Sequence, residues 1–438
     1  MSGMDWPKPV EKLYRQRWRI WVVACLAHTI SLFHRVAMAP MADRIMADFN
    51  ISATGFGTLG AVYFYIYAPM QLPAGTLADT LGPRKVITGG LILSAIGSLV
   101  MSMAPSFAVL YVGRILVSFG VSVAWLSVIR LILEWFRSRE LASVIGMSSS
   151  LVNLGQVAAA TPLALMIVSV GWRLSLVTVA LVTFGLAVVG WFIIRDSPSQ
   201  AGIPPAGGQA TRQSVELHDT SNLSLAQRFR IVLGNRRLWP LFLVHFGMYG
   251  AYSTFFHNWA VVYLMQTYSV ARDFAANFVL IAAVGQITGA PLVGFLSDRV
   301  MHRRRLPAVI FAGIFLASFL FLARWGDGRA SLEALYPMCF LVGLGMGAVP
   351  LIFTLVRGLA EPSVQGTASG LVNMGGFISA AIAQPLFGYL LDRGWQGQII
   401  EGVRIYPPEA FQPGLILSCS LAAVGFIGAL LTRETYRR

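Results

Sequence analysis

The sequence predicts an all-α membrane protein of twelve transmembrane helices in two six-helix halves. Three observations predict it. Only 12% of the 438 residues are charged while 56% are hydrophobic, and a soluble chain carries roughly twice that charge. Apolar stretches of about 20 residues, each long enough to cross a bilayer, recur along the whole chain. The chain also carries matching segments on either side of one long polar stretch.

The first span, 18–40, follows a basic N-terminus. It is too long for a signal-peptide core and lacks a small-residue cleavage site, so it is expected to stay in the mature protein. Further spans read at 54–77, 84–104, 107–135, 141–168 and 172–194. Periodicity cannot separate helix from strand in such runs, but their length argues for helices. Residues 196–237 are the only long polar stretch, with Pro198, Pro204, Pro205 and the run GGQATRQSVELHDTSNLS. They read as a cytoplasmic linker with a short amphipathic helix near its end. Six more spans follow at 238–265, 274–297, 306–325, 332–356, 366–391 and 413–432. The expected organisation is an N-terminal half over 1–195, the linker, and a C-terminal half over 238–438.

The net charge of +14 is distributed by topology. Lys8, Lys12, Arg15, Arg17 and Arg19 precede the first span, Arg84 and Lys85 follow the second, and Arg228, Arg230, Arg236 and Arg237 lie in the linker. With Arg433, Arg437 and Arg438 they fall on one side, whereas the opposite loops hold few cations. This asymmetry puts both termini in the cytoplasm of a bacterial-style inner membrane. The lipid bilayer, not nucleic acid, is the expected partner, and a monomer is expected. Cys25, Cys339 and Cys419 all fall within spans, so no disulfide framework is implied. There is no phosphate-binding glycine loop, metal-ligand cluster or nucleophile triad, so no enzyme, cofactor or metal is expected.

The two halves answer each other in sequence. GTLADTLGPRK (75–85) matches GFLSDRVMHRR (294–304) at an offset of 219, and SSLVNLG (149–155) matches SGLVNMG (369–375) at 220. Two six-span halves in parallel repeat are the layout of major facilitator transporters. The pattern at Gly75, Asp79, Gly82, Arg84 and Lys85 resembles the signature loop of that superfamily, although Thr80 replaces its usual basic residue. The resemblance covers about residues 18–432 and implies a gating role for this loop and for its echo at Asp298 and Arg299. An Asp at a helix end can meet a neighbouring helix N-terminus, and such contacts hold one side shut in one state only. RLILEWFRSRELASVIG (130–146), IIRDSPSQAGIPP (193–205) and YAPMQLPAGTLAD (67–79) resemble the anion:cation symporters, the sialin-like group, and the organophosphate antiporters.

In those families an Arg in the first span and another late in the fourth face the cavity and serve anionic substrates. Arg35 and Arg130 fall on those positions. A charge within a span is costly and is functional by default. The phosphate-ester antiporters add a symmetric Arg in the seventh span, but 219 residues beyond Arg35 lies Thr254. One bidentate Arg suits a carboxylate better than a phosphate ester clamped between two. Where many sialin-like proteins place a proton-carrying Asp, this chain has His34, so His34 and Glu134 are the coupling candidates. Arg130 and Glu134 are four apart and could be only a mutual ion pair. Tyr63, Tyr67, Tyr252, Asn153 and Asn373 are further substrate-binding candidates, each with a packing or interhelical alternative. Arg114 matches an Arg motif of proton-driven exporters, or else snorkels to the outer interface.

The sequence thus predicts a secondary transporter moving a small organic anion, such as the monocarboxylate of a sugar acid, by alternating access and proton symport. A proton-driven exporter of drugs, siderophores or other amphiphiles is the alternative, and a transporter-like ligand sensor a second.

Overall fold

The computed structural model of the chain describes residues 8–136, 141–201, 225–325, 330–361, 364–400 and 403–435. Helices occupy every one of the twelve expected segments. α1 (Lys8–Val36) is followed by a short turn and α2 (Ala42–Asp48), the pair bending by 41°. α3 (Ala53–Leu81), α4 (Pro83–Ser102), α5 (Phe107–Ser122), α6 (Ala124–Trp135), α7 (Leu141–Val152), α8 (Leu154–Ala159) and α9 (Thr161–Ile193) complete the first part. After the linker come α10 (Leu225–Gly234), α11 (Trp239–Thr254), α12 (Ala260–Tyr268), α13 (Arg272–Phe295) and α14 (Arg305–Trp325). α15 (Leu332–Gly345), α16 (Ala348–Leu359), α17 (Gln365–Arg393) and α18 (Pro408–Leu431) finish the chain. Among the described residues eight helical segments are long and apolar enough to cross a membrane, or nine with the bent first pair. The short helix expected near the end of the linker is α10; residues 202–224 of the linker lie outside the described residues, as do the side chains of Gly75 and Asp79.

Local chemistry sets the breaks. Gly171 (φ 78°, ψ 164°) interrupts α9 between the predicted fifth and sixth spans, in a backbone region open essentially to glycine alone. Pro69 and Pro73 lie inside α3, Pro291 inside α13 and Pro385 inside α17. Each removes a backbone donor, which a membrane helix tolerates because neighbours re-satisfy the freed carbonyl. Large apolar side chains such as Val168, Leu181 and Phe192 are more than 60% exposed. Acyl chains rather than water are the medium such a surface suits.

The chain forms two compact units that cut across the predicted halves. The first comprises Met1–His34, Pro69–Gly155 and Arg173–Thr220; the second comprises Arg35–Ala68, Gln156–Trp172 and Ser221–Arg438. In the first, Ile20, Val23, Ile87, Leu91, Leu131, Trp135 and Ile194 share one buried cluster. There α4 and α5 approach closely because a Cβ at Gly97 would sit 2.7 Å from the Gly113 carbonyl, the small-residue contact that replaces hydrophobic drive in lipid. In the second, α11 packs extensively on α17 and α18, and its Gly247 lies directly against Gly425.

Both units cap a span with a carboxylate from the end of another helix. Asp196, after α9, accepts from the Arg84 N–H at 2.7 Å at the start of α4. Glu434, after α18, accepts from the Arg304 and Arg305 N–H groups at 3.0 and 3.1 Å at the start of α14. The repeated segments 75–85 and 294–304 therefore end in the same arrangement, an anion on a helix N-terminus.

Candidate functional site

Arg35 sits in an aromatic nest wholly within the second unit. One residue short of its end, α1 delivers the guanidinium to α3 and α11. Nη1 donates to the Tyr249 hydroxyl at 2.9 Å and Nη2 to the Tyr63 hydroxyl at 2.7 Å. The cation lies 4.8 Å from the Tyr63 ring, 5.5 Å from Tyr67 and 6.0 Å from Phe377. Tyr63 and Tyr67, four apart on α3, stack at 5.1 Å, and Phe377 of α17 meets Tyr67 edge-on at 4.8 Å. The Arg35 Nε is buried with no hydrogen-bond partner, and among the described residues no carboxylate forms an ion pair with Arg35. Phenol dipoles and ring faces offset part of the cost of burying a cation. They do not neutralise it, and an uncompensated buried charge costs several kcal/mol.

The structure thus brings Arg35, Tyr63 and Tyr67 together. Tyr252 is not in this group: it stacks on Phe256 at 5.1 Å and meets His257 edge-on. Tyr249, three residues earlier on α11, meets Arg35 instead, as does Phe377 of α17, which the sequence did not single out. The sequence signal for Tyr249 was the three-residue spacing to Tyr252, which cannot say which ring faces inward. Asn373 is half-buried on α17, four residues before Phe377.

All the remaining candidates but Asp298 and Arg299 belong to the first unit. Arg130 and Glu134 pair with each other at 3.0 Å, with 37% and 28% of their side chains exposed. His34 turns away from Arg35, its Nε2 lying 3.2 Å from Thr183 Oγ1 on α9. Arg114 does not snorkel. It is 2% exposed and donates to the His34 carbonyl at 2.8 Å, satisfying one of the orphan carbonyls at the end of α1. Asn153 lies half-buried at the turn between α7 and α8. Of the signature-loop residues, Gly82 adopts φ 85° beneath the Asp196 carboxylate, where a Cβ would lie 2.6 Å from Oδ2. The Arg84 side chain stacks 4.3 Å over Trp191 and donates to its carbonyl at 2.8 Å. Lys85 is exposed. In the second unit, Asp298 and Arg299 are exposed on a π-helical turn at Leu296–Met301.

The second unit also holds a seam that sequence reading did not single out. Asp43 of α2 and Arg272 of α13 form a bidentate ion pair, each about 5% exposed, and Arg272 also donates to the Pro40 carbonyl. Asp392, at the end of α17, caps α3 by accepting from the Ala53 and Thr54 N–H groups at 2.9 and 2.7 Å. The Tyr406 hydroxyl donates to the same carboxylate at 3.2 Å, and burial with that nearby anion holds this phenol above its usual range. Thr161 Oγ1 donates to Asn277 Oδ1 at 2.6 Å, and the Tyr65 hydroxyl to the Ala381 carbonyl at 2.9 Å. Each contact joins residues more than 100 positions apart except that of Tyr406, which is why none is visible in the sequence.

The profile of the Major Facilitator Superfamily matches residues 24–384. The chain belongs to that superfamily. It is 26% identical to a probable sulfoacetate transporter of Cupriavidus necator, over 96% of each chain. It is also 26% identical to the glycerol-3-phosphate transporter of Bacillus subtilis, covering 86% of this chain and 84% of that one. A bacterial homolog of the human lysosomal transporter Spinster, solved in an inward-facing and unoccupied conformation, superposes with a TM-score of 0.71 at 19% identity. That match covers 95% of this chain and 97% of the other. The fold is the twelve-helix major facilitator fold, and the protein is a secondary transporter, not an enzyme.

Proposed function

We propose that this major facilitator protein carries a small organic monocarboxylate, such as a sugar acid, by proton symport. The observation that carries this reading is Arg35, a largely buried guanidinium with two phenol partners and no ion-paired carboxylate among the described residues. Such a group is stabilised by an arriving anion, and its planar fork can hold a carboxylate through two parallel hydrogen bonds. The relatives named above, a probable sulfoacetate transporter and a glycerol-3-phosphate transporter, are both named for small organic anions. The position repeat-related to Arg35 is Thr254, so no second cation faces it from the seventh span, and a dianionic phosphate ester is less well served.

For coupling, the geometry favours Glu134 over His34. Glu134 is partly exposed and paired with Arg130, so taking up a proton would break that pair. His34 is enclosed against Thr183. Alternating access then requires the Asp43–Arg272 and Asp392–Thr54 seam to open in one state, and the loop at 75–85 in the other. By the charge asymmetry the seam is the outer gate, both termini are cytoplasmic, and the membrane is a bacterial inner membrane. The protein acts as a monomer.

Uptake into proteoliposomes tests the reading. With an acidic exterior and alkaline lumen, labelled D-gluconate or D-galactonate should accumulate, and a protonophore should abolish the accumulation. Accumulation of sn-glycerol 3-phosphate in exchange for phosphate, with no movement of any carboxylate, would overturn it.

A further inference from the structure

One turn of α3 before Tyr63, two carboxamides close directly against Gly60. A Cβ there would collide with Asn258 Nδ2 and lie 2.8 Å from Gln384 Oε1. Both side chains are buried, at 2% and 1% exposure. Gln384 Nε2 donates to the Ser253 carbonyl at 3.3 Å, but Gln384 Oε1 and Asn258 Nδ2 have no partner. Asn258 belongs to a π-helical turn, Phe255–Trp259, that interrupts the seventh span between α11 and α12, and such turns are rare and concentrate at functional sites. Close by in sequence, Thr254 Oγ1 and both ring nitrogens of His257 are also buried without partners. Native interiors leave few polar atoms orphaned, because each forfeits its hydration with nothing in return. A cluster of them beside Arg35's nest calls for a ligand.

We propose that the space over Gly60 is a hydroxyl-binding subsite for the uncharged, polyol end of the anion whose carboxylate Arg35 holds; the inference rests on that reading of Arg35. The orphaned atoms mix donors with acceptors. Gln384, turned by its bond to Ser253, presents a carbonyl and Asn258 an N–H group, a neutral imidazole carries one donor and one acceptor, and a threonine hydroxyl is both. Only a ligand that both donates and accepts at neighbouring atoms satisfies such a set, and a run of hydroxyls does. A phosphate or sulfonate brings acceptors alone and leaves the Gln384 carbonyl unmet; an alkyl tail leaves every atom unmet. Scale agrees as well: Gly60 and Tyr63 are about 4.5 Å apart along the helix axis, within reach of an acid of five or six carbons. The subsite is packed shut in this conformation and is loaded when α3 and α17 part at their Asp392 end.

The test compares acids of equal charge and chain length on the purified full-length protein by calorimetry: D-gluconate and D-galactonate against hexanoate. At least one aldonate should bind 10-fold or more tighter than hexanoate. Asn258→Ala and Gln384→Ala should each cut that preference by about 10–100-fold while hexanoate affinity stays within about 2-fold. Gly60→Ala, which retains both amides chemically but forces them apart with a methyl, should do the same. Hexanoate binding as tightly as both aldonates to the wild-type protein overturns the subsite without any variant, and so do variants that weaken all three acids equally. If no acid binds the wild-type protein, or Arg35→Gln leaves binding intact, the Arg35 reading fails instead.

Discussion

Replacing Arg35 separates a substrate-binding cation from a structural one. The guanidinium makes two hydrogen bonds, both to phenols, and forms no ion pair among the described residues. Arg35→Gln therefore strands no buried carboxylate. It removes two charge-assisted bonds and two close cation–ring contacts, but it also removes a buried charge, and these effects oppose each other. The expected change in melting temperature is only a few degrees, corresponding to about 1 kcal/mol. Substrate binding should fare far worse. Truncating one member of a desolvated charged pair costs about 2–5 kcal/mol, or about 30-fold to several-thousand-fold in affinity. Arg35→Lys keeps the charge but loses the fork, so it should fall between wild type and Arg35→Gln. Calorimetric binding and thermal unfolding, measured on the same detergent-purified variants, give both numbers. A stable Arg35→Gln protein with unchanged affinity would refute the reasoning outright. A collapse of stability, with residual binding in whatever survives, would make Arg35 a tie between α1, α3 and α11 rather than a site.

The other predictions follow from the same geometry. Tyr249→Phe removes one of the two bonds that orient the guanidinium and should weaken anion binding by about 5-fold, near 1 kcal/mol, with little change in melting temperature; binding calorimetry reads it. Glu134→Gln should abolish accumulation driven by a pH gradient while sparing substrate counterflow in proteoliposomes, whereas His34→Gln should keep both; the opposite pattern would transfer coupling to His34. Asp43→Asn leaves Arg272 buried without its counter-charge, which destabilises the closed seam by about 3–5 kcal/mol. Spin labels placed across the seam should report a shift toward longer distances, and unchanged distance distributions would remove the pair from gating.

Much of the fold was legible because lipid imposes a simple rule: every spanning backbone must satisfy itself, so length and apolarity alone locate the helices. The break at Gly171 and the helix at Leu225–Gly234 fell where the sequence put them. Arg35 was legible for the same reason, since a cation inside a span is an anomaly in composition. Its partners were only half legible. Tyr63 shares a helix face with Tyr67, but the choice between Tyr249 and Tyr252 depends on how α11 rotates against α17, and that is set by glycine contacts such as Gly376 beneath His245 and Tyr249. Of the two readings left open for Arg114, the outer interface is not where the side chain goes, because the end of α1 offers it a carbonyl. The seam was invisible. Asp43 and Arg272 lie 229 residues apart, and Arg272 looked like one more loop cation.

The proposed site and the seam share two helices, and on that reading the sharing would couple ligand binding to the gate. α3 begins at Ala53 and Thr54, held by the Asp392 carboxylate, and carries Tyr63 about 15 Å further along its axis. α17 supplies Asp392 at one end and, about four turns earlier, Phe377 beneath Arg35. A ligand can move an equilibrium only by binding one state better than the other. An anion that takes over the Arg35 fork must displace or reorient the Tyr63 and Tyr249 hydroxyls, and that shift acts on the two helices whose far ends meet at Asp392. The packed arrangement of Arg35 with its phenols therefore suits the unloaded protein, and occupancy of the fork should favour a different spacing of α3 and α17. Saturating aldonate should accordingly alter the distance between spin labels on those two helices, and Arg35→Gln should abolish the response while leaving the unliganded distance unchanged. A wild-type distance indifferent to ligand would mean that the shared helices transmit nothing, however tightly the anion binds.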